Sequence, residues 1–431
     1  MPYLRPMPVE PSILFASVAS RLHIKKAREN SLKAYTVLKG LGAEVLGSPE
    51  PLLTAEDLLK ALSQEADLRV VFVASGGTSR LLSRALPGQR ALLWAHPHDN
   101  SLPSALSARE KLRSAGAWEA EIAFSSPDEV PKKIAAELKA VRILKGLSGS
   151  RVLAFCPEEK AAEIETVLSG LLGPGIEVER EDISGLLEAL ERSRGLSVSD
   201  ALSVMKGLEP ETPDPELSLG FARAIQMALL IEERFVRDRG RDIITFDCFG
   251  LLDELGMTPC VAVGLLLEHG ITAVCEADPA CILLMALCHR LSGEPPWMAN
   301  LAGYDEGTRT ILLAHCTACP ALSSAWPYRG HFTPHFESGR PVALDIWLRR
   351  GPVVLASLQP GVRKMVLARG FVRDSGMGEE GMCRTQALVE LHGDIRAFLA
   401  ETGNHHVMTY SDIYDELARA GRRLGLDVVA L

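Results

Sequence analysis

Four short stretches of this chain set chemistry-capable side chains at the ends of apolar runs or in turns beside them. They are Asp247 in "IITFDCF", Glu276 and Asp278 in "TAVCEAD", His315 in "TILLAHC", and His405-His406 in "ETGNHHVMTY". Charge in such a place is costly unless it is paired or bound to a metal. Two or three carboxylates with one or two imidazoles make a donor set suited to Mn2+ or a similar divalent ion, since carboxylate oxygens suit a hard cation and imidazole raises the affinity. Taken singly, Asp247 reads as a helix cap, His315 as a hydrogen-bonded core histidine, and "GNHH" as a turn after Gly403. Glu276 with Asp278 is harder to read that way. In a strand, alternate residues share a face, so the two carboxylates would converge and repel unless a cation or a shared proton intervenes.

The elements that must position these residues follow from the pattern of apolar runs. The first third alternates strand-like segments ("SILFASVA", "AEVLG", "LRVVFVAS", "RALLWAHP") with helices over about Ile24 to Leu41 and Ala55 to Gln64. Short apolar runs separated by amphipathic helices predict a parallel sheet with crossovers. A second α/β unit starts near "SRVLAFCP" and includes a long helix from Pro215 to about Arg237, with Asp214-Pro215 as its start signal. The last third, with "RPVALDIWLR", "GPVVLASLQP" and "VRKMVLARGFVR" broken by Gly and Pro, reads as predominantly β and closes on a helix near Asp412 to Leu424. The expected fold class is therefore α/β: two doubly wound α/β domains (1–147 and 148–270) followed by a β-rich, barrel-like domain (271–431). The loops "SGGTS" and "HPHDNS" follow the third and fourth strands, where open α/β sheets bind ligands. Gly76, Gly77, His96, His98 and Asn100 are the candidate substrate contacts there.

Bulk properties exclude several classes. The chain has 55 acidic against 46 basic residues, a formal charge of −9, and no Lys/Arg block beyond short pairs, so a nucleic-acid partner is not expected. The longest apolar runs are about ten residues, against roughly 20 needed to cross a bilayer, so neither is a membrane. "MPYLRPMPVEPS" lacks the pattern of a secretory signal, and the expected location is the cytoplasm. Nine cysteines are present, several inside apolar segments, and the lone CxxC of Cys316 and Cys319 has no second copy. They read as reduced structural thiols.

Three of these segments, "PCVAVGLLLEHGITAVCEAD", "ILLAHCTACP" and "GNHHVMTYSDIYDELARAGRRLGLDVV", together resemble the L-fucose isomerase and L-arabinose isomerase superfamily, in the family's order. The "HPHDNSLPSAL" loop is suggestive of it in the first part of the chain. The resemblance implies two α/β domains and a β-rich domain, Mn2+ as cofactor, and interconversion of an aldose and a ketose. It implies a metal site of Glu276, Asp278, His315 and His405, the last preferred to His406 because "GNH" matches the fucose form. It implies acid/base roles for Glu276, Asp278 and an upstream carboxylate, Asp247, with Asp253 or Glu254 as alternatives. The proton would shift between C1 and C2 of a free pentose, hexose or deoxy sugar through a cis-enediol. It further implies a homo-oligomer, hexamer or trimer, with the site at a subunit interface. The alternatives are a sugar-binding or regulatory relative without turnover, and a metal-dependent epimerase or hydrolase using the same site.

Overall fold

The computed structural model describes residues 10–116, 121–193 and 195–431. The segment 1–9, most of the stretch judged not to be a secretory signal, lies outside the described residues. The described residues divide into two compact units, one ending at residue 145 and the other running 146–431.

The first unit is a five-stranded parallel sheet, β1 (Ser12–Val18), β2 (Glu44–Gly47), β3 (Leu68–Val73), β4 (Leu92–Ala95) and β5 (Ile122–Phe124), in the order β2-β1-β3-β4-β5. Alternation decides which helices each face meets. Leu14, Ala16 and Val18 of β1 pack with α2 (Ala55–Leu62), α3 (Ser79–Ala85) and α4 (Ser101–Ser114), whereas Ile13 and Phe15 pack with α1 (Ile24–Lys39) and α5 (Lys132–Leu147). Thr54 starts α2 by accepting the Asp57 amide, as a threonine N-cap does.

The second unit opens with a four-stranded parallel sheet. Its strands β6 (Arg151–Phe155), β7 (Glu177–Arg180), β9 (Ile243–Phe246) and β10 (Thr272–Val274) run in the order β10-β9-β6-β7. The short β8 (Glu209–Pro210) pairs elsewhere. The accompanying helices are α6 (Glu158–Leu172), α7 (Ile183–Arg192), α8 (Val198–Val204), α9 (Pro215–Ile231), α10 (Leu252–Leu255), α11 (Cys260–Glu268) and α12 (Pro279–Ser292). Asp214 caps α9 through the Glu216 and Leu217 amides, with Pro215 in the first turn, and the helix runs on into a π-helical segment, Glu232–Arg237.

The remaining strands are β11 (Trp297–Asp305), β12 (Thr310–His315), β13 (Gly330–Thr333), β14 (Ala343–Ile346), β15 (Gly351–Gln359), β16 (Lys364–Ser375), β17 (Thr385–Leu391), β18 (His405–Thr409) and β19 (Asp427–Ala430), with helices α13 (Ile395–Glu401) and α14 (Tyr414–Arg423). Six of them close an antiparallel barrel, β15-β18-β11-β12-β17-β16, through the β15/β16 pairing, and β19 adds to β16 in parallel. Closure leaves those six strands without a free edge. β13 sits between β14 and β8 in a separate small sheet. Residues 272–274, which the expected boundary at 270 assigns to the β-rich domain, instead pair with β9 as the edge of the parallel sheet. The apolar run before Glu276 is thus the last strand of the α/β layer rather than the first of the barrel. The helix α12 is buried almost all round because it packs against β9 and β10 as well as β11, β15 and β18. Among the described residues no helix is long and apolar enough to cross a membrane.

Phe221 of α9 stacks on Phe332 of β13, centroids 4.1 Å apart, and both are fully buried. Phe221→Ala should lower the unfolding free energy by about 3–5 kcal/mol, read by urea denaturation. A loss below about 1 kcal/mol would mean that α9 is not anchored through this stack.

Candidate metal centre

The carboxylates Glu276 and Asp278 reach one place by a route the alternation rule does not describe. β10 ends at Val274, and the chain then turns through Glu276 (φ +63°) and Ala277 (φ +49°), both in the left-handed region, which non-glycine residues rarely occupy. Asp278 is the N-cap of α12. Its Oδ1 accepts the Ala280 and Cys281 amides at 2.7 and 3.2 Å, and Pro279 fills the first helical position. The cap fixes Asp278 and leaves Oδ2 free to point outward, while the helix N-terminus favours negative charge there.

The barrel supplies the imidazoles. Asn300 of β11 pairs with Ala314 of β12 on one side and with His405 of β18 on the other. His315 and His405 therefore lie at the same end of the barrel, two strands apart, or about 10 Å of backbone. Glu276 spans that gap. Its Oε1 meets His315 Nε2 at 3.2 Å and its Oε2 meets His405 Nε2 at 3.3 Å. His405 Nδ1 faces Asp278 Oδ2 at 2.6 Å, and His315 Nδ1 faces Thr317 Oγ1 at 2.9 Å. The result is a continuous chain: Asp278, His405, Glu276, His315, Thr317.

This arrangement answers the repulsion problem, because one imidazole is shared by both carboxylates. Burial works against ionisation of Glu276, yet the bonds to His315 and His405 outweigh it and hold the carboxyl well below the usual range. Asp278 is likewise lowered, burial being overcome by His405 and then by the two cap amides. Burial also opposes charge on His405, but Asp278, Cys281 and Glu276 together push its pKa up to about 12. Cys281 is the side chain the sequence reading missed. Asp278, Cys281 and His405 each offer a ligand atom, and these atoms lie within 4.8 Å of one another, which makes them a possible metal-binding triad. The signal was present in the spacing, since residues three apart share a helix face.

The other candidates separate. Asp247 lies just past the end of β9, beside this cluster along the sheet, where Cys248 is bridged to Cys275 and its sulfur accepts the Glu276 amide. That bridge departs from the expectation that all the cysteines are reduced. The Asp247 carboxylate itself turns to Lys160, 2.7 Å away on α6. A Cβ at Gly250 would fall 2.4 Å from Asp247 Oδ2, so any larger residue there would displace that carboxylate. Asp253 and Glu254 do not join the cluster: both are exposed on α10, and Asp253 pairs with Arg340. His406 points into the core, with Nε2 on Thr402 Oγ1 and Nδ1 donating to Asn404 O, and burial pushes its pKa down to about 4. A further buried imidazole, His335, has Nδ1 accepting the Ser338 amide and packs edge-on to Phe249.

Gly76, Gly77, His96, His98 and Asn100 belong to the other unit. There the two loops do meet: the Gly76 amide donates to Asp99 O, and a Cβ on Gly76 would come within 2.7 Å of Asn100 Cβ. Gly77, His98 and Asn100 are exposed. His96 is a correction. It is fully buried, stacked on Phe72, with Nε2 on Ala74 O and Nδ1 accepting the His98 amide, so every polar atom of its ring is used to hold the loop.

No protein-family model matches this chain, and no curated protein is significantly similar to it.

Asp278→Asn keeps a good N-cap but removes the charge. It should leave the circular dichroism melt nearly unchanged and weaken binding of an added divalent probe by at least about 10–100-fold; undiminished affinity would take Asp278 out of the ligand set. Cys281→Ser should selectively weaken the thiophilic probe Cd2+ relative to Mn2+. Equal affinities for both ions before and after the change would show that the thiol does not face the ion.

Proposed function

We propose that this chain is an aldose–ketose isomerase dependent on Mn2+ or a similar divalent ion, acting on a free pentose, hexose or deoxy sugar. What carries the reading is the convergence of Glu276, Asp278, His315 and His405 in one hydrogen-bonded cluster, the four residues at which the chain resembles the fucose and arabinose isomerases. The order of domains, which we read as two doubly wound α/β domains and a β-rich domain, agrees with it. Oxygen and nitrogen donors on a partly exposed cluster suit a divalent ion that keeps positions open for substrate. The Cys281 thiol beside Asp278 and His405 widens the set toward softer ions. Glu276, Asp278, His315 and His405 would hold the ion. When bound, it would polarise the substrate carbonyl as a Lewis acid and favour negative charge on the neighbouring oxygens.

The chain's own residues do the proton work. Glu276 is proposed to take a proton from C2 of the sugar and return it to C1 of the cis-enediol; its two imidazole partners keep it ionised but weaken it as a base, so one of them must give way when the ion and the sugar bind. Asp278 Oδ2, with His405 on one side, can pass the proton between the hydroxyl oxygens. Asp247 is the alternative base, at the next strand end with its carboxylate 2.7 Å from Lys160 Nζ. Gly76, Gly77, His98 and Asn100 are the proposed sugar contacts. They would act in a homo-oligomer, trimer or hexamer, in which a neighbour's first domain covers the sugar. The reading places the enzyme in the cytoplasm, without nucleic-acid or membrane partners.

The test is metal content after purification, followed by a panel of pentoses, hexoses and deoxyhexoses with and without Mn2+, scored for ketose formation. Mn2+-dependent turnover of at least one sugar is expected, and Glu276→Gln should lower kcat by about 10²–10⁴-fold. Absence of both metal and turnover across the panel would remove the proposal, and metal with sugar binding but no turnover would favour a binding protein.

A further inference from the structure

A second group of reactive side chains stands beside the carboxylate–imidazole chain and has no part in it. Cys260 opens α11, Cys316 follows His315 at the end of β12, and Cys383 precedes β17. These three pack together with Ala343. The cause is the register of the barrel. β12 and β17 run antiparallel, and their last pair at this end is His315 with Thr385, so the residues just beyond it are brought edge to edge. There Cys383 packs against the buried Cys316 and Cys260. Cys260 and Cys316 are buried, whereas Cys383 is partly exposed. A small reagent therefore meets Cys383 first, and the strand register sets Cys316 beside it. Only one peptide bond separates Cys316 from His315.

We infer that Cys383 and Cys316 form an oxidant-responsive pair, with Cys383 the residue attacked by a peroxide and Cys316 the residue that resolves it into a disulfide at the end of β12. The Cys383 sulfur attacks one peroxide oxygen as its thiolate, the O–O bond breaks, and the departing oxygen leaves as water after taking a proton, so Cys383 becomes a sulfenic acid. The Cys316 sulfur then attacks the Cys383 sulfur, the S–O bond breaks, and a second water leaves. Two thiols lose two hydrogens and the peroxide is reduced to two waters. The new bond ties the start of β17 to the residue after His315, and it removes the sulfenic acid before a second oxidant can carry it to the irreversible sulfinic state.

The experiment uses the full chain treated with an equimolar amount of hydrogen peroxide. The protein is then quenched in acid with N-ethylmaleimide, digested without reduction, and mapped by mass spectrometry. The expected product is a linked pair of peptides carrying Cys316 and Cys383, while Cys156, Cys288 and Cys319 stay alkylated. Cys383→Ser should abolish the link and leave Cys316 alkylated; Cys260→Ser should leave the link intact. Circular dichroism of each variant establishes that it folds, and the mapping of the unsubstituted chain stands even if a variant does not. The inference is overturned if Cys383 remains alkylated after peroxide, if it pairs with Cys260 instead, or if it accumulates as sulfinic acid. The assay reads a covalent bond and not turnover, so its result does not depend on the isomerase reading.

Discussion

The imidazole of His405 touches Asp278 Oδ2 with one nitrogen and stands 3.3 Å from Glu276 Oε2 with the other, and much else in the second unit is arranged around that sharing. Two carboxylates brought together in a partly buried place repel, and each loses hydration. A single imidazole between them relieves both costs, because it donates to each and adds positive charge. His315 takes the remaining oxygen of Glu276, so that carboxylate is met on both sides. An apolar substitution of His405 would leave two carboxylates without their common partner. Removal of one member of a buried charged network generally costs more than the net worth of the contact, because the groups left behind remain desolvated.

The sharing depends on distances that only the barrel can set. His405 and His315 are held by the pairing of β11 with both neighbours, and the two-strand separation is matched to the span of one glutamate between two imidazoles. The α/β layer supplies that glutamate and the capping aspartate at the carboxyl end of β10. Because α12 packs against both β10 and the barrel strands β15 and β18, the parallel sheet and the barrel cannot shift independently near the cluster. The Cys248–Cys275 bridge adds a covalent tie between the ends of β9 and β10. Function on a strand end is common in α/β sheets; here the opposing wall is a closed barrel, whose strands have little freedom to slip in register.

Much of this was legible in the sequence, though not always for the reason that pattern reading supplies. Glu276, Asp278, His315 and His405 stood out because each is a polar residue terminating an apolar run or turning beside one. The alternation argument for Glu276 and Asp278 was wrong in mechanism, because the strand stops at Val274 and two left-handed residues intervene. Asp-Pro is an N-cap signal, and it outranks strand continuation. The domain boundary slipped for a related reason: a three-residue edge strand carries too little pattern to say which sheet it joins. His96 was misread because a loop at a strand end looks functional by position, whereas its ring is consumed by Phe72, Ala74 and the His98 amide. His335 gave no signal, since it stands in the turn just after the short strand β13 and its burial appears only in the fold.

The cluster sets two demands on Glu276 against each other. A carboxylate that is to accept a proton from carbon must be ionised, and one that is fully surrounded by donors is a weak base because its lone pairs are already used. Glu276 is ionised through its two imidazole partners, which also weaken it as a base, and its backbone amide donates to the Cys248 sulfur. Its oxygens meet His315 and His405, and if Glu276 leaves His405 that imidazole is still paired with Asp278. Asp278 divides its own oxygens, one spent on the cap of α12 and one on His405. Asp278 is thus anchored to a helix, whereas Glu276 sits on a turn.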